Sequence, residues 1–318
     1  MKQFLRSIPV TLMFLLIILI SGCDSSPSTI PPTQALATPA PTTTEISQVD
    51  AAPDLESSED PEFALTDISA ASFNNPTNID NKYFPLIPGT HYVYEGFTEE
   101  AGQEIPHSIV FTVTDLTKEI QAVRTVVAYI LDYSDGQLVE AEIAFYAQDD
   151  EGNVWFMGEY PEVYEDGKLV EAPSWIPGFK GAQAGIVMKA KPEVNLPSYA
   201  QGWGPAVNWT DRGRVIGMGE QTCVPVDCYE DVLVTEEFSQ SEPDAFQVKY
   251  YAPGIGNVRV GWRGEDASHE ELELVEFTQL SPEELADIRA EALALESHAY
   301  EISKEVYDQT MPSEYKLP

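Results

Sequence analysis

The chain has 318 residues and a formal charge of −36, from 53 acidic and 17 basic side chains. This surplus of acid excludes a nucleic-acid-binding surface, which needs clustered lysine and arginine, and it disfavours docking of a folded domain on anionic lipid. The charge indicates a well-solvated surface, or else affinity for a basic partner or for divalent cations. Hydrophobic residues form 43% of the sequence, so a packed core is expected.

The first 22 residues have the features of an export signal. Lys2 and Arg6 precede a hydrophobic run, residues 10–20, that is too short to cross a bilayer as a mature helix. Two small residues and then Cys23 follow this run, and the segment resembles the lipobox of bacterial lipoproteins. The resemblance implies that residues 1–22 are removed and that the Cys23 thiol is lipidated. Stable anchoring takes more than one acyl chain. An ordinary signal peptide that ends near a cysteine is the alternative, and the choice between inner and outer membrane stays open.

Residues 23–72, which begin with the lipidated cysteine, predict a disordered linker. They are rich in Ser, Thr, Pro and Ala, and acidic side chains are added in the second half. Such a segment buries too little apolar surface to offset the entropy that ordering would cost. We interpret it as an extended spacer that holds the rest of the protein away from the membrane.

Residues 73–280 predict one antiparallel β domain. Runs of alternating, β-branched and aromatic residues recur between turn signals from residue 91 to residue 277. Asp135-Gly136 and Asp166-Gly167 predict hairpin turns, because Asp-Gly accepts positive φ at little cost. Similar sequences follow both turns, which indicates two hairpins of one meander. The predicted fold class is therefore mainly β, an antiparallel meander that forms a curved sheet or a partly open barrel.

Residues 281–309 predict one long C-terminal amphipathic helix. Ser281 has the place of an N-cap, Pro282 stands at the first helical position, and Glu284 completes a capping box. Apolar residues then recur at spacings of three and four from Leu285 to Val306. Because this seam is thin and includes two alanines, it favours a helix that lies along the sheet over an intermolecular coiled coil.

Cys223 and Cys228 predict a local disulfide. Export brings the chain into an oxidising compartment, where a pair of nearby cysteines is expected to close a turn. Metal binding is disfavoured because no histidine or second cysteine pair lies nearby. A redox-active pair is disfavoured because the spacing is not Cys-x-x-Cys.

No catalytic residues are predicted. The four histidines lack the spacing of a zinc hydrolase, and the chain has neither a nucleophile elbow nor a phosphate-binding loop. Calcium is the one cofactor left open, because two short loops carry hard oxygen ligands that ordinary turns explain equally well. The calcium candidates are Asn78, Asp80, Asn81, Asp149, Asp150, Glu151 and Asn153.

Trp175 and Trp203 are candidate ligand-binding residues. Both stand in Pro- and Gly-rich stretches that predict loops, where a large aromatic side chain less often serves only the core. Packing in the core of the sheet is the alternative for both.

Six short stretches resemble a family of uncharacterised exported bacterial proteins: residues 78–90, 94–96, 146–149, 152–155, 250–256 and 271–274. The resemblance covers roughly residues 75–277. It implies a β-rich secreted domain with no known activity, and it includes neither the cysteine pair nor the C-terminal helix.

These observations predict a lipid-anchored, extracytoplasmic, non-catalytic binding module for a small apolar ligand or for another envelope protein. A secreted hydrolase with carboxylate or calcium-assisted chemistry is the alternative. A converging pocket with perturbed carboxylates would favour the hydrolase. An apolar concavity without such groups would favour the binding module.

Overall fold

The structure is a computed structural model that describes residues 63–315. The predicted signal peptide, the lipidated Cys23 and most of the predicted linker lie outside the described residues. The described part consists of fifteen strands, two α-helices and short 3₁₀ turns. The strands are β1 (Thr90–Glu100), β2 (Gln103–Ile120), β3 (Val123–Ser134), β4 (Gln137–Gln148), β5 (Val154–Glu165), β6 (Lys168–Glu171), β7 (Gln183–Met188), β8 (Tyr199–Ala200), β9 (Gly202–Trp203), β10 (Asp211–Cys223), β11 (Cys228–Ser239), β12 (Glu242–Ala252), β13 (Gly256–Gly264), β14 (Glu271–Gln279) and β15 (Glu314–Tyr315). The helices are α1 (Pro282–Ile302) and α2 (Lys304–Tyr307).

All strands belong to one antiparallel sheet. Its order is β8-β10-β11-β12-β13-β14-β1-β2-β3-β4-β5-β7-β9, with β6 paired to β5 and β15 paired to β2. The two ends of this order, β8 and β9, are separated in the chain by Gln201 alone, so the sheet curves until its edges approach each other. The sheet is open because no ladder joins β8 to β9 among the described strands. The predicted curved antiparallel meander with a C-terminal helix is confirmed.

Two Asp-Gly turns shape the meander as predicted. Asp135 and Gly136 have φ values of 48° and 72° at the turn between β3 and β4. Asp166 and Gly167 have φ values of 49° and 70° between β5 and β6. Positive φ at both central residues matches the twist of the strands that such a turn joins.

The sheet has two apolar faces. The inner face, on the concave side, carries a cluster to which nearly every long strand contributes, with Tyr92, Phe156, Tyr251 and Leu272 among its members. The outer face of β2 to β5 carries a second cluster that includes Phe145 and that the helices cover. Strands β3 to β5 are therefore buried on both faces, as their nearly continuous burial indicates.

The C-terminal helix begins at its predicted cap. The Ser281 hydroxyl accepts from the Glu284 N–H at 3.3 Å, and the Glu284 carboxylate accepts from the Ser281 N–H at 2.8 Å. The helix ends at Ile302, and α2 follows after Ser303. Ala292, Leu295 and Ala299 of α1 are buried against the outer face, so the helix packs on its own sheet.

Contacts between the sheet and the segment before β1 include one at Ala64, whereas the sequence predicts that the linker extends to residue 72. The Arg212 guanidinium donates to the Ala64 carbonyl at 3.3 Å, and the Asp150 N–H donates to the Ser72 carbonyl at 2.8 Å. Part of the stretch that the sequence assigns to the linker therefore lies against the folded domain.

Candidate ligand-binding site

The curved sheet forms a partly open cavity of about 130 Å³ on its inner face. Aromatic rings and aliphatic side chains form most of its wall, and a few polar groups stand among them. The apolar lining includes Phe84, Tyr92, Tyr94, Ile109, Phe111, Tyr146, Phe156, Val187, Trp209, Tyr251, Val260 and Leu272. The polar lining is Gln201, Glu237, Gln247, Lys249, Asn257 and Glu270.

Strand alternation places two tyrosines of β1 side by side in this wall. The rings of Tyr92 and Tyr94 stack with centroids 6.3 Å apart, and their hydroxyls donate to the carbonyls of Ile255 (2.9 Å) and Asn257 (2.8 Å). Burial raises the pKa of both hydroxyls. The polar ends are thus satisfied by backbone carbonyls at and just before the start of β13, and the ring faces remain for apolar contact.

A second aromatic group stands where β4, β5 and the loop before β10 meet. Tyr146 stacks on Phe156 at 5.1 Å, and Trp209 lies 5.3 Å from Phe156. Trp175 is buried behind them, 5.3 Å from Phe156 and 4.8 Å from Trp209. Trp175 supports the cavity wall without lining it. Trp203, in β9, is half-buried opposite Gln183 and also lies outside the lining.

Glu237 of β11 is the best-connected acid of the cavity. It forms an ion pair with Lys249 and accepts hydrogen bonds from Gln201 Nε2 (2.9 Å) and from the Tyr251 hydroxyl (3.2 Å). Burial alone would raise its pKa, but Lys249 and these hydrogen bonds lower the pKa below the ordinary glutamate value. Glu237 is therefore a carboxylate with its counter-ion in place.

A second polar group lies near the start of β14, and two of its members, Gln247 and Glu270, line the cavity. Buried His107 lies with Nε2 3.1 Å from Asp132 Oδ1 and 3.4 Å from Glu270 Oε1. Gln247 donates to the other oxygen of Glu270. The pairing of β2 with β3 brings His107 close to Asp132, a contact that the sequence pattern alone does not indicate.

A carboxyl pair lies on the inner face beside the aromatic group. Glu142 of β4 and Glu159 of β5 are about 1% and 2% exposed, and Ala144, two residues from Glu142, is the cross-strand neighbour of Glu159. Burial raises the pKa of Glu142, and the charges of Glu159 and Glu140 raise it further. Burial also raises the pKa of Glu159, and the facing Asp211 adds to this effect. The pair therefore holds a proton at pH values where exposed glutamates are ionised.

The sequence pattern does not reveal this pair. Acidic and apolar residues alternate in the stretch Glu140-Ala141-Glu142-Ile143-Ala144. A half-buried strand whose acids face water would show the same alternation. Because β4 is buried on both faces, the alternation does not indicate which set of side chains meets solvent. One feature of the sequence could have indicated that these acids are buried: they stand within a strand that is otherwise apolar and aromatic.

The structure brings the two calcium-candidate loops together. Asn81 Nδ2 donates to the Gly152 carbonyl at 2.9 Å. The oxygens of Asp149 accept from the N–H groups of Glu151 and Asn153, the Asn153 amide and the Trp155 indole. Asn78 Nδ2 donates to Asp80 at 3.1 Å, and Asp150 accepts from Asn74. These bonds account for both loops as turns. Within residues 63–315, no group of three or more His, Cys, Asp or Glu side chains has metal-binding geometry, and calcium binding stays a prediction.

Cys223 and Cys228 form a disulfide in the structure. They face each other at the last ladder position of β10 and the first of β11, so the bond ties the mouth of the turn between these strands. The bond lies outside the cavity lining.

Comparison with solved structures gives two matches of low structural similarity. One is a protein of Bacteroides fragilis classed as exported, with a YmcC-like fold, at 14% identity and a TM-score of 0.38. The other is a protein of Parabacteroides distasonis classed as a lipoprotein, at 12% identity and a TM-score of 0.34. Each alignment covers 62% of this chain and 99% of the other chain. No protein family profile and no curated protein sequence matches the chain. Among the described residues, neither helix combines the length and apolar character that spanning a membrane requires.

Proposed function

We propose that this protein is a lipid-anchored, extracytoplasmic, non-catalytic binding protein, and that the cavity on the inner face of its sheet takes a small, largely apolar ligand. The observation that carries the proposal is the cavity wall, in which stacked aromatic rings surround a space with few polar groups. Ligand sites are concave, mostly apolar and furnished with a small number of orienting polar groups. The lipobox-like segment that ends at Cys23 supports the anchored location.

Native mass spectrometry of the full mature protein, released from its membrane in detergent and compared with the denatured chain, tests the proposal. We expect the native mass to exceed the denatured mass by a bound organic molecule. The variant Val260→Phe places a larger side chain in the cavity and should lose this extra mass. The matched control Val170→Phe, at an exposed position of β6, should keep it. Extra mass retained by the V260F variant would contradict the proposal.

The same measurement distinguishes an apolar ligand from the two other candidates, calcium and an envelope protein. An extra mass that EDTA removes would indicate calcium, bound at the loops that contain Asp80 and Asp149. Equal native and denatured masses, in the presence of added apolar ligands, would move the search to an envelope protein partner.

A carboxylate-dependent hydrolase is the second candidate, and the Glu142–Glu159 pair favours it. Paired carboxyl groups with raised pKa values can act as general acid and base. Binding is preferred because both side chains lie behind the cavity lining and are almost inaccessible. Hydrolysis of ester or glycoside substrates that disappears in the Glu142→Gln variant would favour the enzyme.

A further inference from the structure

Most of the polar groups that line the cavity form one connected patch. Glu237 of β11 pairs in register with Gln247 of β12, and Lys249 follows Gln247 two residues later on the same face of the strand. The Tyr251 hydroxyl donates to Glu237, so an aromatic ring of the cavity wall adjoins the patch. We define this polar patch as Gln201, Glu237, Gln247, Lys249 and Glu270. A ligand in the cavity therefore meets apolar rings along its body and the polar patch at one side.

The polar patch keeps hydrogen-bonding capacity that the protein does not use. The ammonium group of Lys249 can donate three hydrogen bonds, and within residues 63–315 its hydrogen-bond partner is Glu237. The Gln247 amide nitrogen donates to Glu270, and no donor among the described residues reaches the amide oxygen of Gln247. The patch thus presents a donor and an acceptor on one face of β12, and a hydroxyl group can satisfy both.

The charges of the polar patch are already paired. Lys249 has Glu237 as its counter-ion, and these side chains are only 17% and 10% exposed. A ligand carboxylate would add a second negative charge beside Glu237, and a ligand ammonium group would stand beside Lys249. Both are costly, because a charge taken out of water needs a partner of opposite sign. The patch therefore favours a ligand without charge.

We propose that the ligand of the cavity is an uncharged molecule of one ring or a short chain, whose hydroxyl group accepts a hydrogen bond from Lys249 and donates one to the amide oxygen of Gln247. This inference rests on the proposed function and specifies its ligand. The cavity of about 130 Å³ is close in size to cavities that take up a single benzene ring. The body of the ligand contacts the lining rings, among them Tyr92, Tyr146 and Phe156.

Isothermal titration calorimetry of the full mature protein with three matched probes tests the charge preference. The probes are benzyl alcohol, benzylamine and phenylacetate, which share one ring and differ in the charge of the attached group at pH 7. We expect benzyl alcohol to bind at least about tenfold tighter than either charged probe. Benzylamine or phenylacetate bound as tightly as the alcohol would overturn the inference.

Replacing Glu237 should invert this preference. Glu237→Gln keeps the size of the side chain and leaves the Lys249 ammonium group without its counter-ion, which phenylacetate can then supply. We expect the affinity for phenylacetate to rise about tenfold or more above that of the wild type. The matched control Glu230→Gln, at an exposed position of β11, should keep the wild-type order of affinities. An unchanged affinity of the E237Q variant for phenylacetate counts against the contact with Lys249.

Replacing Gln247 tests the other hydrogen bond of the hydroxyl group. Gln247→Met is similar in size and removes the amide oxygen, so the affinity for benzyl alcohol should fall about fivefold. The matched control Gln103→Met, at an exposed position of β2, should bind benzyl alcohol as the wild type does. Circular dichroism confirms that each variant is folded. Full affinity of a folded Q247M variant for benzyl alcohol would refute this contact.

The outcomes separate the inference from the function on which it rests. A charged probe that binds as tightly as the alcohol overturns the inference and leaves the apolar binding site in place. Failure of all three probes to bind contradicts both.

Discussion

Two buried glutamates dominate the chemistry at the residue scale. Glu142 and Glu159 lie in a strand pair that is covered on both sides, and their carboxyl groups share one environment of low polarity. Two neighbouring carboxyl groups cannot both ionise without a large electrostatic cost, so a proton stays between them. The shared proton keeps one of the two negative charges out of this apolar environment.

The pH dependence of stability tests this view of the pair. The folded pKa values are raised above the unfolded ones, so the folded state holds a proton that the unfolded state releases as pH rises above the ordinary glutamate range. The contribution is therefore full at low pH and is lost as pH rises through the folded pKa values. Relative to the Glu142→Gln, Glu159→Gln variant, the wild-type free energy of unfolding should fall by at least about 1 kcal/mol between about pH 5 and pH 8.

Urea denaturation of both proteins at several pH values measures the difference. The variant Glu171→Gln, at an exposed position of β6, should follow the wild type at every pH. Parallel curves for the wild type and the double variant would show that the pair holds no proton of its own.

At the scale of elements, one buried lysine contributes to the attachment of α1 to the sheet. Lys118 of β2 is fully buried, and its Nζ atom lies 2.8 Å from Glu296 of α1, 3.0 Å from the Tyr300 hydroxyl and 2.7 Å from the Met311 carbonyl. The ring of Tyr307 lies 4.9 Å from the same atom. One ammonium group therefore joins the sheet, both helices and the segment that leads to β15.

Replacing this lysine should loosen the helix. Lys118→Met leaves Glu296 as a buried carboxylate without its counter-ion, and we expect a loss of about 3 to 5 kcal/mol in the free energy of unfolding. Adding Glu296→Met should recover part of the loss because it removes the unpaired charge. Lys168→Met, at an exposed position of β6, is the control and should change little. Urea denaturation measures all three, and a loss below about 1 kcal/mol for K118M would contradict the proposed role.

At the scale of the whole molecule, solubility and the proposed membrane location depend on different features of the chain, its acidic charge and its lipid. The formal charge of −36 favours solvation and mutual repulsion of the chains. A lipid on Cys23, as proposed above, would supply the attachment to the membrane, since each buried CH₂ group contributes about 0.8 kcal/mol.

Replacing the anchoring residue tests the location. Cys23→Ser removes the thiol that carries the lipid, and we expect the protein to move from the membrane to the soluble fraction. Fractionation of cells followed by immunoblotting measures this. The double variant Cys223→Ser, Cys228→Ser removes the disulfide and should stay with the membrane. A C23S protein that remains in the membrane fraction would refute lipid anchoring through this residue.

The sequence alone determined those features that depend on neighbours in the chain. The Asp-Gly turns, the capping box of Ser281 and Glu284, and the disulfide between Cys223 and Cys228 each involve residues within a few positions, so their geometry follows from local chemistry. The regular succession of strands and turns likewise predicted the antiparallel class of the fold, because consecutive strands joined by short turns pair antiparallel.

Tertiary structure decided what the strands enclose. The cavity joins residues as distant as Tyr92 and Tyr251, and curvature of the whole sheet brings them together. The orientation of Glu142 and Glu159 toward a buried face also depends on this curvature and on the helix that covers the opposite face. A strand pattern states which residues share a face, but only packing determines whether that face meets water, a second layer or a ligand.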